Sequence, residues 1–361
     1  MVDGLAMLAT LSAGALALGV LRHFAPRWGW VDRPDGRKPH VGAVPPVGGA
    51  AWLCAWLTGL ALLAQAGAIG GHAMWLAGLV TAIALLGWVD DRWHVSVRLR
   101  FALQALIVAL AAQWPGIRLD DLGQLLWTGW ALDLGWLALP MTIFAVVGVI
   151  NAINMFDGMD GLCGVLTAST CAVLAALAGP AHEWFWPLLL AAIALLPFLA
   201  LNLRRPGLPR ARVFLGDAGA LALGLLLGLA LVDLSQGSAA RFPPVLALYL
   251  LALPLVDTVS VMWRRMSAGH SPFAPDQQHL HHLLQRAGHS VSRTLLLLCA
   301  VAWLSMAAGW TMWRLGAPDA LLLGVFLLAA FSFHAWIRAA IQRGRLLGRV
   351  LAERVPTGVA P

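Results

Sequence analysis

Hydrophobic positions in this chain form long unbroken blocks, and polar positions form short ones between them. Eleven apolar blocks can be drawn, near 4–24, 47–65, 73–89, 99–114, 138–153, 161–179, 184–202, 218–234, 242–262, 293–313 and 319–337. Their lengths approach the roughly 17–25 residues that an α-helix needs to cross about 30 Å of hydrocarbon. None alternates with period two, so each block predicts a helix and not a barrel strand. The pattern predicts an all-α, polytopic integral membrane protein with about 11 transmembrane helices. The first block, Gly4 to Phe24, lacks a basic start and a small-residue cleavage site, so it reads as a retained span.

Composition strengthens this picture. The 361 residues are 60% hydrophobic and 11% charged, too few charges to coat a soluble globule of this size. The connections leave no room for a second folded domain. We therefore expect one membrane domain over 1–340, with polar loops at 25–46, 90–98, 151–162, 203–217 and 263–292, and a basic tail over 341–361. Cys54, Cys163, Cys171 and Cys299 lie in or beside apolar blocks without a CxxC pair, and read as small buried hydrophobes.

Charge then orients the chain. All but three of the 24 Lys and Arg residues (Arg118, Arg241 and Arg314) fall on one side, in alternate connections or at the block ends beside them. The positive-inside rule makes that side cytoplasmic, with a periplasmic N-terminus and a cytoplasmic C-terminus. Topology and lipid headgroups account for the net charge of +7, and nucleic acid is not needed as a partner. Trp28, Trp88, Trp114, Trp184, Trp263 and Trp313, near block ends, suit interfacial belts.

Five polar clusters all map to the cytoplasmic side. The stretch Val31 to His40, followed by Pro45-Pro46-Val47-Gly48-Gly49, sets basic side chains beside a Gly-Gly helix start. That suits a phosphate or an ordinary juxtamembrane loop. Asp90-Asp91-Arg92 places adjacent carboxylates at a membrane boundary, costly unless a cation or a catalytic role holds them. Asn151, Asn154, Asp157 and Asp160 recur every three residues in one apolar setting, with Gly158 and Gly161 permitting close approach. Asp217 in Phe214-Leu215-Gly216-Asp217-Ala218-Gly219 either caps a helix or offers a hard oxygen to a divalent ion. The run from Arg264 and Arg265 to His279, His281 and His282 reads as a phosphate grip more readily than as a zinc tract, since no Cys accompanies it.

With these clusters on view, the chain resembles the polyprenyl-phosphate N-acetylhexosamine-1-phosphate transferases, and within them the WecA-type branch. The resemblance spans about residues 30–290. Asp90-Asp91-Arg92, the segment Asn154 to Leu162, Leu215-Gly216-Asp217-Ala218-Gly219 and His279-Leu280-His281-His282 carry it. Gln277 departs from the pattern, which usually has Arg after Pro-Asp. The resemblance implies transfer of a sugar-1-phosphate from a UDP-N-acetylhexosamine, GlcNAc foremost, to undecaprenyl phosphate in a bacterial inner membrane. It implies Mg²⁺, with Mn²⁺ as the alternative, on Asp217 and Asp157, and catalytic roles for Asp90, Asp91, Asp157 and Asp160. Lys38, Asn151, Asn154, Arg264, Arg265, His279, His281 and His282 would bind substrate. A homodimer is left open. The rival reading, a secondary transporter of an anion, fits poorly because mid-block positions are apolar and the polar groups sit at the inner ends.

Overall fold

The computed structural model describes residues 2–33, 42–125, 129–273 and 278–353, with side chains described as far as residue 344. Among the described residues the chain is helical throughout. Extended pairing is confined to isolated bridges at Asp32–Val44, Asp121–Asp133 and Arg205–Leu208. The helices are α1 (Val2–Phe24), α2 (Gly48–Gln65), α3 (Gly71–Trp93), α4 (Val97–Ala111), α5 (Ala138–Phe156), α6 (Leu162–Ala178) and α7 (Phe185–Asn202). They continue with α8 (Gly216–Asp233), α9 (Pro244–Leu250), α10 (Ala252–Ser267), α11 (Leu280–Arg286), α12 (Val291–Arg314) and α13 (Asp319–Glu353).

Eight helices among the described residues are long and apolar enough to cross a membrane, or nine if α9 and α10 count as one bent span. Two of the expected spans are short: α4 has 15 residues and α6 has 17. The block at 242–262 is not one straight helix. It breaks at Leu251 and turns through 82°. Pro254 lacks the N–H that would bond to the Leu250 carbonyl, so the ladder stops and restarts. The last block also differs, since α13 runs past residue 337 without interruption.

α8 is the axis of the fold. Every residue from Ala218 to Val232 is buried, as expected for a helix that is apolar on all sides. Glycines let neighbouring backbones touch it. A Cβ on Gly49 would lie 2.2 Å from the Gly219 nitrogen, one on Gly87 2.4 Å from the Asp217 carbonyl oxygen, and one on Gly224 2.6 Å from Ile150 Cα. Small-residue contacts of this kind replace the hydrophobic driving force that helices lack against lipid. Trp52 and Trp56 of α2 are fully buried and donate their indole N–H groups to the carbonyls of Ala191 (3.0 Å) and Pro187 (2.8 Å) in α7.

The bundle has two polar ends. At one, Gln236 Oε1 accepts from the N–H groups of Asp120 (2.8 Å) and Asp121 (3.0 Å), and Gln124 N–H donates to Asp319 (2.8 Å). Trp184 is here too. It is fully buried and donates to Asp233 at 2.7 Å, so it belongs to the core and not to an interfacial belt. Trp28 and Trp263 are exposed as belts require. Cys54 is exposed on the helix surface, whereas Cys163, Cys171 and Cys299 are buried. The opposite end gathers Asp90, Asp91, Asp157, Asp160 and Asp217 with the histidines of the 279–282 segment.

Candidate functional site

The site begins where α8 begins. Gly216 adopts φ +75°, and a Cβ there would lie 2.8 Å from Asp91 Oδ2, so only glycine brings the chain this close to that carboxylate. The free N–H groups of the first turn then face Asp91. Asp217 N–H donates to Oδ1 at 3.2 Å and Ala218 N–H to Oδ2 at 3.5 Å. Asp91, on α3, thus caps α8 from outside, satisfying orphan donors and the positive end of the helix dipole together.

Asp217 projects from that same turn, and its Oδ1 accepts from Asn154 Nδ2 of α5 at 2.8 Å. Asp90 lies beside Asp217, with both of its own oxygens engaged. Oδ2 pairs with Arg100 at 2.7 Å and Oδ1 accepts from Val95 N–H at 2.8 Å. Asp157 follows the last residue of α5, within electrostatic reach of Asp91 and Asp217. Burial first, and then the charges of Asp217 and Asp160, push its carboxyl up to about 7. Asp160, at the edge of the cluster, pairs with Arg204 at 2.6 Å and accepts from Ala211 N–H at 3.3 Å.

The histidines close the opposite wall. His281 is buried, and among the described residues neither of its ring nitrogens has a hydrogen-bond partner. Its ring packs on Gly158 so tightly that a Cβ there would lie 2.6 Å from Nε2. Burial, and then His282 and His279, hold His281 well below the ordinary imidazole range, so it is neutral at pH 7. His279 stacks on it at 5.8 Å between ring centres, and His282 lies 4.1 Å away. Gly158 is therefore the joint between the acidic turn and the histidine segment.

Other expected site residues stand further back. Asn151 donates to Gln104 Oε1 (2.7 Å) and the Val147 carbonyl (2.8 Å), tying α5 to α4. Arg264 donates to Ser260 Oγ (2.6 Å) and the Gln278 carbonyl (2.7 Å), and Arg265 to the Pro272 carbonyl (2.6 Å). Both arginines brace the polypeptide on either side of the 273–278 stretch. Lys38 and Gln277 lie outside the described residues.

The sequence reading missed three residues. Arg100 pairs with Asp90 inside the acidic cluster. Asn202 accepts from Gly161 N–H at 2.6 Å and donates to the Val213 carbonyl at 2.8 Å, fixing the turn after Asp160. Asp257 is fully buried in α10 and bonds His279 Nδ1 at 2.8 Å. Its signal was plain enough: a lone carboxylate inside an apolar block.

Four carboxylates meet here with one guanidinium among them. Among the described residues, no three His, Cys, Asp or Glu groups form a ready-made metal cage. Mg²⁺ does not require one, since it takes one or two carboxylates and completes its shell with substrate phosphates. The oxygen-rich set around Asp217 and Asp157 fits that ion.

Carboxylates, a buried histidine and arginines thus gather at one end of a bundle of membrane-length helices. The family model described as glycosyl transferase family 4 matches residues 73–235, the stretch from α3 to α8 that carries Asp90, Asp91, Asn154, Asp157 and Asp217. The undecaprenyl-phosphate alpha-N-acetylglucosaminyl 1-phosphate transferase of Escherichia coli (strain K12) is 33% identical over 339 residues, covering 93% of this chain and 91% of that protein. Proteins of the same name from Yersinia pestis and Haemophilus influenzae are 35% and 36% identical, over 92% and 82% of this chain and 90% and 83% of theirs. The chain belongs to this family, the polyprenyl-phosphate N-acetylhexosamine-1-phosphate transferases.

Proposed function

We propose that this chain transfers N-acetylglucosamine-1-phosphate from UDP-GlcNAc to undecaprenyl phosphate, giving the lipid-diphosphate sugar and UMP. The junction of Asp91, Asp217 and Asn154 at the start of α8 carries the reading. It lies inside the matched family region. The names of the relatives supply the substrates. The transporter reading lapses with the family assignment.

In this reading the end bearing Asp217 faces the cytoplasm from a bacterial inner membrane, where a soluble nucleotide sugar and a lipid phosphate can meet. The alternation of the helices and the basic residues at their inner ends support this. Eleven crossings follow if α4 and α6 span and α9 with α10 makes one bent span. The N-terminus is then periplasmic.

A phosphate-monoester oxygen of the lipid attacks the β-phosphorus of the donor, and the bond to the bridging oxygen of UMP breaks. Such a nucleophile is mostly ionised already at neutral pH, its second pKa being about 6. Placement therefore matters more than a base. Asp90, with both oxygens engaged, orients Arg100 toward the cluster. Asp91 locks the α8 terminus, and with it the direction of Asp217. His281, neutral and unpartnered, is free to hydrogen-bond donor phosphate or sugar, with His279 and His282 beside it. Asp217 and Asp157 would hold Mg²⁺ or Mn²⁺, which when bound would supply charge neutralisation on the leaving UMP.

UMP release by the purified chain, given undecaprenyl phosphate and UDP-GlcNAc, UDP-GalNAc or UDP-QuiNAc in turn, tests the reading. Turnover is expected with UDP-GlcNAc. Absence of UMP with every donor overturns it. Donor labelled at the β-phosphorus and offered without lipid is expected to leave the protein unlabelled, and a stably labelled aspartate would sink direct attack.

A further inference from the structure

The histidine segment is held by a residue that the transfer chemistry does not itself call for. Asp257 sits one turn into α10, beyond the break at Leu251, and is wholly inaccessible. Its Oδ2 lies 2.8 Å from His279 Nδ1, and its Oδ1 accepts from Leu280 N–H at 3.1 Å. No lysine or arginine is paired with it by either contact. An ionised carboxylate has only lone pairs to offer. With Asp257 ionised, the proton of this contact sits on His279 Nδ1, and Nε2 is left as the ring's remaining polar atom.

We infer that Asp257 is a positioning residue for the transferase reaction: it fixes the Nδ1–H tautomer and ring plane of His279, and its second oxygen anchors the start of α11. One carboxylate thus sets the imidazole's chemical face and the helix that carries His281 and His282. The three imidazoles pack ring on ring, at 5.8 Å and then 4.1 Å, so fixing the first restricts the others. His281 in turn rests on Gly158, which ties the orientation set by Asp257 to the turn bearing Asp157 and Asp160. The chain of contacts starts at the Pro254 break, which sends α10 off at 82° and brings Asp257 under the histidines. A straight helix would carry Asp257 along the bundle axis.

The inference rests on the proposed function for its kinetic consequence but not for its structural one. Asp257→Asn keeps the shape and the acceptor for Leu280 N–H. Its amide nitrogen donates to Nδ1, which moves the imidazole proton to Nε2. The full chain in detergent, labelled with ¹⁵N-histidine and compared with His279→Gln to assign the signal, reads the tautomer without substrate. Nδ1–H is expected in the parent protein and Nε2–H in Asp257→Asn, and the same tautomer in both overturns the inference. In the UMP-release assay, Asp257→Asn is expected to lower kcat/KM about 10- to 100-fold, the scale on which hydrogen-bond partners of functional imidazoles act. Asp257→Glu should recover part of that loss. In a His279→Gln background the Asn substitution should cost nothing further, and a full additional loss marks a merely structural carboxylate. A parent chain that releases no UMP defeats the transferase reading alone, because the tautomer result stands apart from turnover.

Discussion

Asp91 of α3 caps α8: its carboxylate accepts the N–H of Asp217 at 3.2 Å, so the residue that orients the α8 terminus is 126 positions away in sequence from the one it orients. The cap supplies in trans what Leu215, the residue ahead of α8, cannot supply with its own side chain. The candidate metal ligand, the helix dipole and a second carboxylate are thereby locked into one geometry.

Asp217→Asn is the direct test of that geometry. The amide keeps the shape and its oxygen still accepts from Asn154, so the protein should reach the membrane and elute as a single species in detergent. UMP release should fall about 100-fold or more, as when one preorganised electrostatic contact is removed. Near-normal turnover at saturating Mg²⁺ would remove Asp217 from the metal site.

Gly158→Ala probes the joint between the two walls. The new methyl would lie 2.6 Å from His281 Nε2, so the ring must shift. A displacement of that order costs up to about 100-fold in rate. Thermal unfolding in detergent alongside the UMP assay separates that effect from a loss of stability. Unchanged kinetics would show that His281 does not need its present position.

Gly49→Ala probes the axis instead. Its Cβ would lie 2.2 Å from the Gly219 nitrogen, a backbone atom that cannot move aside. Overpacking of this kind costs about 1–3 kcal/mol, sometimes more. A lower Tm or aggregation is expected, and an unchanged Tm would show that α2 and α8 can separate without penalty.

Asp157 predicts a pH effect on stability. Its folded pKa, about 7, lies above the ordinary carboxylate value of about 4. Between those values the folded protein binds more protons than the unfolded chain, so this residue's contribution falls as pH rises from about 4 to about 7. Asp157→Asn should therefore raise Tm at pH 8 in EDTA, and the two proteins should converge near pH 4. Equal Tm values at pH 8 would mean that Asp157 carries no such penalty.

Much of the fold was legible because membrane helices announce themselves by length. The edges of α2 and α7 lie within a residue or two of the apolar blocks at 47–65 and 184–202. The break at Leu251 was harder to see. Pro254 sits in a block hydrophobic on both sides, and hydropathy does not register a missing N–H. In the site, Asp90, Asp91, Asp157 and Asp217 stood out because carboxylates are expensive next to apolar spans. Asp257 was overlooked for being alone, since its partner His279 is 22 residues further on. Asn151 was singled out by spacing, but its bonds run to Gln104 in the helix packing. Three-residue spacing puts side chains on one face only while the helix lasts, and α5 ends at Phe156.

The complete burial of α8 also bears on how the molecule is made. A helix apolar on every side rests in lipid by itself, but its glycine contacts exist only once α2, α3 and α5 stand around it. Asp217 rides on that helix, and the cap it depends on belongs to one of those neighbours. Catalytic competence and finished assembly thus become one event, so a partly built chain offers the cell no stray transferase acting on its lipid carrier.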